Sequence, residues 1–552
     1  MNTPTNIASF LPELARQRPH GLAIVFPEGR SRAGRVLYSH YTFKQLDEQS
    51  SRVARGLQAV GIGRGVRTVL MVKPSLEFFA LTFGLFKAGA VPVMVDPGIG
   101  VKALGTCLAE AEPKAFIGIP KAHLGRLVLG WARRSLETLV TVGRKGPWGG
   151  VSLDEVVRAG GEGKGTELAE TRADETAAIL FTSGSTGIPK GAVYTHGMFV
   201  AQVEAIGRTY GIRPGEIDLA TFPLFALFDP ALGMTAVIPD MDASRPASAD
   251  PRKLVEAIED FGITNMFGSP AVINRLGRHC EQHGIKLPTL RRVLSAGAPV
   301  SAEILERFSR ALAPGVEIFT PYGATESLPV ASIGSAEILG ETRRKTEQGA
   351  GVCIGRPVEG VEVRIIGIDD GPIKTLGEAR LLEAGEVGEL AVHGPTTTQE
   401  YYARPASTEL AKMRDEQGRV WHRMGDLGYF DPQGRLWYCG RKSHRVATKE
   451  TTHFTDPCEN VFNAHPAVYR TALVGVERGG QVEPVLCVEL DEASRSASLE
   501  AVRRELLALG AACPKTAAVR EILFHPGLPV DIRHNAKIFR EKLAVWAKQR
   551  LS

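Results

Sequence analysis

The chain has 552 residues, of which 43% are hydrophobic and 23% are charged, a composition typical of a globular protein. This length exceeds what a single hydrophobic core supports, so several domain-sized units are expected. The formal net charge of +5, from 66 basic and 61 acidic residues, is small for the length and gives no reason to expect a nucleic acid partner.

Targeting and redox features point to the cytoplasm. The first 17 residues place apolar side chains at helical spacing, without the basic start and apolar core of a secretory signal. The most apolar stretch, residues 78–95, is interrupted by Lys87, Gly89 and Pro92, so no membrane span is expected. Seven scattered cysteines without C-x-x-C spacing favour a reducing compartment over a disulfide framework or a zinc site.

The first third of the chain alternates between helical and strand patterns. The spacing predicts an amphipathic helix over 42–61, a buried strand over 68–72, a helix from Ser75 to Gly89 and a strand over 91–95. This β-α-β order favours a parallel sheet. The glycine-rich stretch 158–168 is interpreted as a joint between subdomains.

The alternation resumes after residue 191. A helix is predicted over 196–210, strands near 219, 265, 293 and 316, and helices over 270–283 and 301–312. Residues 351–438 are richer in short strands, and the tail from about residue 442 has the length of a small α+β domain. The predicted fold class is α/β, with a large N-terminal domain (1–440) of α/β subdomains plus a β-rich subdomain, and a small C-terminal domain (441–552).

The stretch TSGSTGIPKG, residues 182–191, has the composition of a phosphate-binding loop. It follows a short apolar strand pattern over 177–181. Hydroxylated residues alternate with glycines, so backbone N–H groups and hydroxyls can converge on an anion, and Lys190 adds a positive charge. The spacing is not G-x-x-x-x-G-K-[ST], and a Ser/Gly stretch alone is most often a surface turn. The candidate anion-binding residues are Thr182, Ser183, Gly184, Ser185, Thr186, Gly187 and Lys190.

Further motifs follow the order found in one superfamily. They are FKAGAVPVMVDP (86–97), SAGAP (295–299), YGATE (322–326), GEVGELAVHGP (385–395), GDLGY (425–429) and GR (440–441). Together with the 182–191 loop, they resemble the AMP-forming adenylation superfamily of acyl-CoA synthetases, luciferase and peptide-synthetase adenylation domains. The resemblance implies ATP and Mg²⁺, an adenylation domain at 1–440 and a mobile lid at 441–552.

Residue roles follow from the same resemblance. It implies that Glu326 holds magnesium, that Thr325 lies near the α-phosphate, and that Tyr322, with Gly323 beside it, stacks on adenine. Asp426 and Arg441 match the residues that contact the ribose, and a carboxylate can accept hydrogen bonds from both ribose hydroxyls. The backbone that shapes the adenine pocket corresponds to Gly297, Ala298 and Pro299. Taken singly, each of these residues also has a purely structural interpretation.

The motif LPVDIRHNAKIFR, residues 528–540, stands where the superfamily has its catalytic lysine. Lys537 is the predicted catalytic residue, bridging the substrate carboxylate and the α-phosphate. Ala536 replaces the usual glycine, so a solvated lysine on a charged helix remains the alternative.

Three departures from the acyl-CoA synthetase pattern concern the acyl acceptor. Ser443 stands at the usual hinge Asp or Lys, Thr452 stands near the usual glycine of the pantetheine loop, and Ala226 replaces a frequent histidine or aromatic. The combination of PVDIRHNAK (529–537), THFTDPCENVFNAHP (452–466) and FPLFALFDPALGMT (222–235) resembles the β-lactone synthetases of bacterial long-chain olefin biosynthesis. The acceptor in those enzymes is the 3-hydroxyl of a long-chain 2-alkyl-3-hydroxy acid. An alkyl pocket is predicted from Phe222, Phe225, Leu227 and Phe228, although such a run is about as often plain core.

Several alternatives stay open at this point. His534 and His444 are candidates for the base that acts on the 3-hydroxyl. A fatty-acyl-CoA or fatty-acyl-AMP ligase is the second hypothesis, and a non-catalytic nucleotide-binding protein is the third. The resemblance also implies a complex with other olefin-pathway enzymes.

Overall fold

The computed structural model describes residues 5–96, 99–161, 168–181, 189–222, 224–530 and 538–551. The first elements are α1 Phe10–Gln17, β1 Leu22–Arg30, β2 Val36–Thr42, α2 Phe43–Ala59, β3 Arg67–Met71, α3 Leu76–Lys87, β4 Val91–Val95, α4 Val101–Ala111, β5 Ala115–Gly118, α5 Pro120–Leu129, β6 Thr138–Thr141, β7 Val151–Ser152, α6 Leu153–Ala159, β8 Thr176–Phe181, β9 Gly191–Thr195 and α7 His196–Tyr210.

The middle of the chain contributes most of the strands. Its elements are β10 Ile217–Ala220, α8 Phe228–Ala231, β11 Thr235–Val237, α9 Pro251–Phe261, β12 Asn265–Gly268, α10 Pro270–His283, β13 Arg292–Ser295, α11 Ala302–Ser309, β14 Glu317–Ala324, β15 Ser327–Gly334, α12 Ser335–Glu337, α13 Arg343–Lys345, β16 Val352–Pro357, β17 Glu362–Ile366, β18 Gly388–His393, α14 Pro405–Ala411, β19 Lys412–Arg414, β20 Val420–Phe430 and β21 Leu436–Arg441.

The last elements are β22 Val446–Ala447, β23 Thr452–His453, α15 Thr455–Asn463, β24 Val468–Arg478, β25 Gln481–Leu490, α16 Leu499–Ala511, β26 Glu521–Phe524 and α17 Arg540–Leu551. β24, β25 and β26 form a separate three-stranded sheet. Helices α15 and α16 share an apolar cluster with this sheet, and α17 shares another. The carboxyl-terminal part therefore has its own α+β packing, while the boundary at residue 440 stays a prediction.

Two large sheets form the rest of the molecule. Seven strands lie in the order β7-β6-β5-β3-β4-β8-β9, and a 14-stranded sheet runs from β17 to β2 through β14, β13, β12 and β10. Within the first sheet all neighbours are parallel except β8 and β9. The mixed α/β class predicted from the alternating patterns is confirmed.

Local signals explain why the predicted helices form where they do. Thr42 and Gln45 make a reciprocal capping box at the start of α2, and Ser75 caps α3 by accepting a hydrogen bond from the Phe78 N–H. α7 is capped by Thr195 and ends at Gly211, whose φ of 60° suits glycine. One expectation was incomplete, because strand β9 lies between the 182–191 loop and α7.

Candidate functional site

Four neighbouring strands bring the predicted site segments to one edge of the large sheet. β10, β12, β13 and β14 pair in parallel, so their carboxyl ends lie at the same edge. The segments that follow β10, β13 and β14 contain the predicted alkyl pocket, the adenine-side loop and Glu326. Ligands of open α/β sheets bind at this edge.

A buried carboxylate lies between a tyrosine and an arginine. The Tyr322 hydroxyl donates a hydrogen bond of 2.6 Å to Oδ2 of Asp426. Arg441 Nη1 lies 2.9 Å from Oδ1, because Asp426 on β20 and Arg441 on β21 are direct partners in the ladder. Burial raises the pKa of Asp426, which the charge of Arg441 opposes. Asp426 thus contacts the other two predicted adenine and ribose residues.

Two buried oxygen atoms near the nucleotide motifs have no hydrogen-bond partner among the described residues. One is Oδ1 of Asp426, toward which Arg441 is close but not aligned as a donor; the other is Oγ of Ser295, at the start of SAGAP. Buried polar groups are normally satisfied by protein, water or ligand. The orphaned Asp426 oxygen therefore fits a ligand that donates hydroxyl hydrogen bonds, as a ribose does.

Glu326 lies in the tight turn between β14 and β15, where Ala324 pairs with Ser327. Its Oε1 accepts a hydrogen bond of 2.7 Å from the Tyr401 hydroxyl. Its backbone carbonyl accepts hydrogen bonds from the Thr398 N–H at 2.8 Å and the Thr398 hydroxyl at 3.1 Å. The carbonyl of the preceding Thr325 accepts the hydroxyl of Tyr194 on β9. The turn is therefore held from two sides.

The segment 396–402 connects the Glu326 turn to the start of β9. Thr397 bridges Ser327, and the Tyr402 N–H donates to the carbonyl of Gly191 at 2.7 Å. Gly191 directly follows Lys190, and the Lys190 Nζ lies 5.1 Å from the centre of the Tyr401 ring. Tyr401 therefore contacts both Glu326 and the one described basic residue of the 182–191 loop.

A second lysine, Lys412, donates hydrogen bonds to segment 396–402. Lys412 Nζ is buried and donates to the carbonyl of Thr398 at 2.5 Å and to its hydroxyl at 2.9 Å. It also lies 5.8 Å from the centre of the Tyr401 ring. Burial lowers the pKa of Lys412 to about 7, partly offset by the charge of Glu326. The side-chain nitrogens of two lysines thus lie within 6 Å of the centre of the Tyr401 ring.

The described residues of the site offer magnesium a single carboxylate ligand, that of Glu326. Among the described residues, no group of three or more His, Cys, Asp or Glu side chains is arranged to hold a metal ion. Mg²⁺ is commonly held by one or two carboxylates together with substrate phosphates and water. Glu326, which shares the neighbour Tyr401 with Lys190, agrees with that arrangement and not with a metal site built from protein alone.

Part of the predicted site lies outside the described residues. This holds for Thr182, Ser183, Gly184, Ser185, Thr186 and Gly187, for Lys537 and for the candidate base His534. The flanks of the lysine segment are described. Val530 bridges Ile538, and Arg540 pairs with both oxygens of Glu459 at 2.7 Å.

The anchor of the lysine segment lies close to the ribose pair. Glu459 belongs to α15, whose first residue, Thr455, approaches Gly440 of β21 so closely that a Cβ on the glycine would lie 2.1 Å from the Thr455 hydroxyl. The ring centre of Tyr438 on β21 is 6.3 Å from that of Tyr322. The carboxyl-terminal part therefore packs against the strand that carries Arg441.

The predicted alkyl-pocket residues follow β10 and share aromatic contacts. Phe225 stacks on Phe267 of β12 at 3.9 Å between ring centres, and Phe228 packs on Phe225 at 5.9 Å. Leu227 is half-buried against the core, whereas Phe222 is 46% exposed. Phe225, Phe228 and Ala296 of SAGAP belong to one apolar cluster. The aromatic run and the adenine-side loop are therefore adjacent.

The structure also shows where the three residues that depart from the acyl-CoA synthetase pattern lie, and where the candidate base His444 lies. Ala226 is fully buried, Ser443 is exposed in the turn after β21, and Thr452 pairs with Ala447 in the β22-β23 hairpin. His444 Nε2 lies 3.6 Å from Oε1 of Glu541 on α17. His444 thus contacts the carboxyl-terminal helix.

Sequence reasoning missed Tyr401, Thr398, Lys412 and Tyr194. The run TTTQEYY over 396–402 is the one local signal, since it concentrates hydroxyl groups directly after the GEVGELAVHGP motif. Lys412 carries no such signal. Its role depends on β19 pairing with β20, which places Lys412 opposite His422.

Residues 11–402 match the model of the AMP-binding enzyme family. The chain belongs to that family. It is 54% identical over 554 residues to the olefin β-lactone synthetase of Xanthomonas campestris pv. campestris, covering 100% of this chain and 98% of that protein. It is also 54% identical over 558 residues to the olefin β-lactone synthetase of Stenotrophomonas maltophilia, covering 100% and 99%.

A solved structure supports the fold over the full length. The amide bond synthetase McbA from Marinactinospora thermotolerans is 22% identical, with a TM-score of 0.78, covering 98% of this chain and 99% of that one. No helix among the described residues is both long and apolar enough to cross a membrane. All seven cysteines are free thiols.

Proposed function

We propose that this chain is an ATP-dependent β-lactone synthetase that acts on 2-alkyl-3-hydroxy fatty acids. The observation that carries the proposal is the 54% identity, over the whole chain, to two olefin β-lactone synthetases. The site adds a cluster suited to a nucleotide, formed by Tyr322, Asp426 and Arg441, and a carboxylate suited to magnesium.

In the first half-reaction, a carboxylate oxygen of the acid attacks the α-phosphorus of ATP. The bond from the α-phosphorus to the bridging oxygen breaks, and pyrophosphate leaves. Two anions must approach each other, so cations have to neutralise the developing charge. When bound at Glu326, Mg²⁺ would supply part of this neutralisation.

Four of this chain's residues have roles in that step. Lys190 and Lys537 contribute positive charge to the phosphates and the acid, Asp426 orients the ribose, and Tyr401 holds the Glu326 carboxylate. The carboxyl-terminal residues 441–552 act as the lid that brings Lys537 to the α-phosphate, and the Arg540 to Glu459 ion pair anchors the end of that segment.

In the second half-reaction, the substrate's own 3-hydroxyl attacks the acyl carbon. The acyl carbon to phosphate oxygen bond breaks, AMP leaves, and the hydroxyl proton passes to a base. A tethered nucleophile can reach an effective molarity of about 10⁵ to 10⁸ M when it is well oriented. The strain of the four-membered ring raises the barrier to closure and so reduces this advantage. The ring of Phe225, held on Phe267, is part of the wall that orients the two alkyl chains.

A pyrophosphate assay tests the first half of the proposal. The purified chain with ATP, Mg²⁺ and a 2-alkyl-3-hydroxy fatty acid should release pyrophosphate and AMP in equal amounts, without added CoA. Nucleotide binding without release would make the chain a non-catalytic nucleotide-binding protein. Release that requires CoA would make it an acyl-CoA ligase. Action in the cytoplasm and a complex with other olefin-pathway enzymes are further parts of the proposal.

A further inference from the structure

Helix α5 presents an apolar face to solvent. Of the 14 large apolar side chains that are exposed among the described residues, four belong to this ten-residue helix. Leu124, Leu127, Val128 and Leu129 are 54%, 56%, 74% and 49% exposed. Contiguous apolar patches on a protein surface mark sites of interaction.

The inner face of the same helix is polar. His123 is buried, with Nε2 3.0 Å from the carbonyl of Val140 and its ring stacked on Trp148 at 5.3 Å. Arg126 is 91% buried, with its guanidinium 5.9 Å from the centre of the Phe116 ring. A helix that covers a sheet normally places apolar residues inward and polar residues outward. In α5 this pattern is inverted.

The outward residues form one stripe. Leu124, Leu127 and Val128 are spaced i, i+3 and i+4, and Lys121 lies one turn earlier on the same face. The helix ends at Gly130, and the ring of Trp131 packs between Gly105 of α4 and Gly125. This close packing fixes the orientation of α5, so the stripe does not turn inward.

The sequence segment that contains the stripe has basic residues and no acidic ones. Residues 113–136 contain no Asp or Glu and five basic residues, which are Lys114, Lys121, Arg126, Arg133 and Arg134. Lys121, Arg133 and Arg134 are exposed, and no ion pair within the described part of the chain involves them. The basic residue Lys114 pairs with Glu137, just outside the segment. The exposed basic residues of this segment therefore carry positive charge that no ion pair among the described residues neutralises.

We infer that α5 docks on the surface of an anionic lipid bilayer. The aliphatic stripe would enter the boundary between headgroups and acyl chains, and Lys121, Arg133 and Arg134 would contact the anionic headgroups. An apolar face flanked by Lys and Arg is typical of helices that lie in the interface plane. Protein interfaces, by contrast, are anchored mainly by Tyr, Trp and Arg. The inference goes beyond the proposed function and does not depend on it.

Vesicle flotation of the full chain tests this inference. Vesicles of phosphatidylcholine with phosphatidylglycerol should bind the chain, and vesicles of phosphatidylcholine alone should bind it at least about tenfold more weakly. The double substitution Leu127→Ser with Val128→Ser should weaken binding about tenfold or more. A matched control, Leu381→Ser with Val545→Ser, removes two apolar side chains elsewhere that are 55% and 61% exposed, and it should leave binding unchanged.

A charge variant separates the electrostatic contribution to vesicle binding from that of the apolar stripe. Arg133→Gln with Arg134→Gln should reduce binding to the anionic vesicles and should remove most of its salt dependence, because screening acts only on the headgroup attraction. Circular dichroism should show the same helix content for all variants. Absence of vesicle binding by the unsubstituted chain would overturn the inference, as would self-association that the Leu127→Ser with Val128→Ser variant abolishes, since the stripe would then be a protein interface.

Discussion

The hydroxyl of Tyr401 donates a hydrogen bond of 2.7 Å to the Glu326 carboxylate, although the two residues are 75 positions apart in the sequence. Burial and the charge of Glu326 raise the pKa of Tyr401 well above its ordinary value, so the phenol remains protonated and remains a donor. One carboxylate oxygen of Glu326 thus has a fixed position before any ligand binds. This preorganisation is the basis of the first prediction.

Tyr401→Phe should lower the rate of pyrophosphate release about tenfold to a hundredfold and raise the Mg²⁺ concentration needed for half-maximal rate. A hydrogen bond to a charged group contributes about 1.5 to 3 kcal/mol, and the substitution keeps the ring next to Lys190 and Lys412. Tyr402→Phe is the matched control, because the Tyr402 ring instead lies 5.5 Å from the guanidinium of Arg67. An unchanged magnesium requirement in Tyr401→Phe would contradict the assigned role of Glu326.

Asp426→Asn should reduce the enzyme's preference for ATP over 2′-deoxy-ATP. If Asp426 accepts hydrogen bonds from the ribose hydroxyls, loss of the 2′-hydroxyl should cost the unsubstituted enzyme more than it costs the variant. The measurement is kcat/KM for both nucleotides with both proteins. Equal discrimination by the two proteins would place Asp426 away from the 2′-hydroxyl.

Lys537→Ala should lower acid-dependent pyrophosphate release at least about a hundredfold while leaving ATP binding unchanged, because the lysine stabilises charge that develops in the transition state. Lys542→Ala offers a control five residues further along, where the ammonium lies 4.6 Å from the centre of the Phe539 ring. Isothermal calorimetry gives the ATP affinity of both variants. Undiminished pyrophosphate release by Lys537→Ala would refute the assignment.

The buried carboxyl pair of Asp218 on β10 and Asp229 on α8 makes stability depend on pH. Burial raises the pKa of Asp218 to about 7, and burial together with the charge of Asp218 raises that of Asp229. Between pH 4 and 7 the folded chain therefore holds a proton that the unfolded chain releases. The contribution of Asp218 to stability is complete below about pH 4 and is lost as the pH rises through 7.

Asp229→Asn should accordingly raise the midpoint of thermal unfolding at pH 8 by about 2 °C or more and flatten its pH dependence between 4 and 7. The new amide can donate a hydrogen bond to the Asp218 carboxylate. Asp174→Asn is the control, since the Asp174 side chain is 77% exposed and pairs with Arg172. A lower midpoint at pH 8 in Asp229→Asn would show that the pair does not repel.

Local signals made much of the fold predictable. The helix predicted over 196–210 coincides with α7, because Thr195 caps its start, Gly211 ends it and an apolar stripe runs between them. Strand β9 was missed because its five residues directly follow a glycine-rich loop. Its strand character comes from pairing with β8, which no local pattern in 191–195 reveals.

The candidate site likewise contains residues that local motifs predicted and residues that only long-range pairing brings in. Tyr322, Asp426 and Arg441 lie in recognisable motifs, and the structure places them in contact. Lys412 and Thr398 were invisible, because their proximity to Glu326 requires both the β19-β20 register and the path of segment 396–402. Both are long-range pairings. The inverted pattern of α5 likewise becomes evident only once the sheet shows which face is covered.

The product of the reaction tests the central claim most directly. Mass spectrometry of the purified chain with Mg²⁺, ATP and a synthetic 2-alkyl-3-hydroxy fatty acid, with and without CoA, identifies what the acyl group is transferred to. We predict a product with the mass of the acid minus one water, formed together with AMP at the same rate in the presence and absence of CoA. A thioester that forms only with CoA would contradict it.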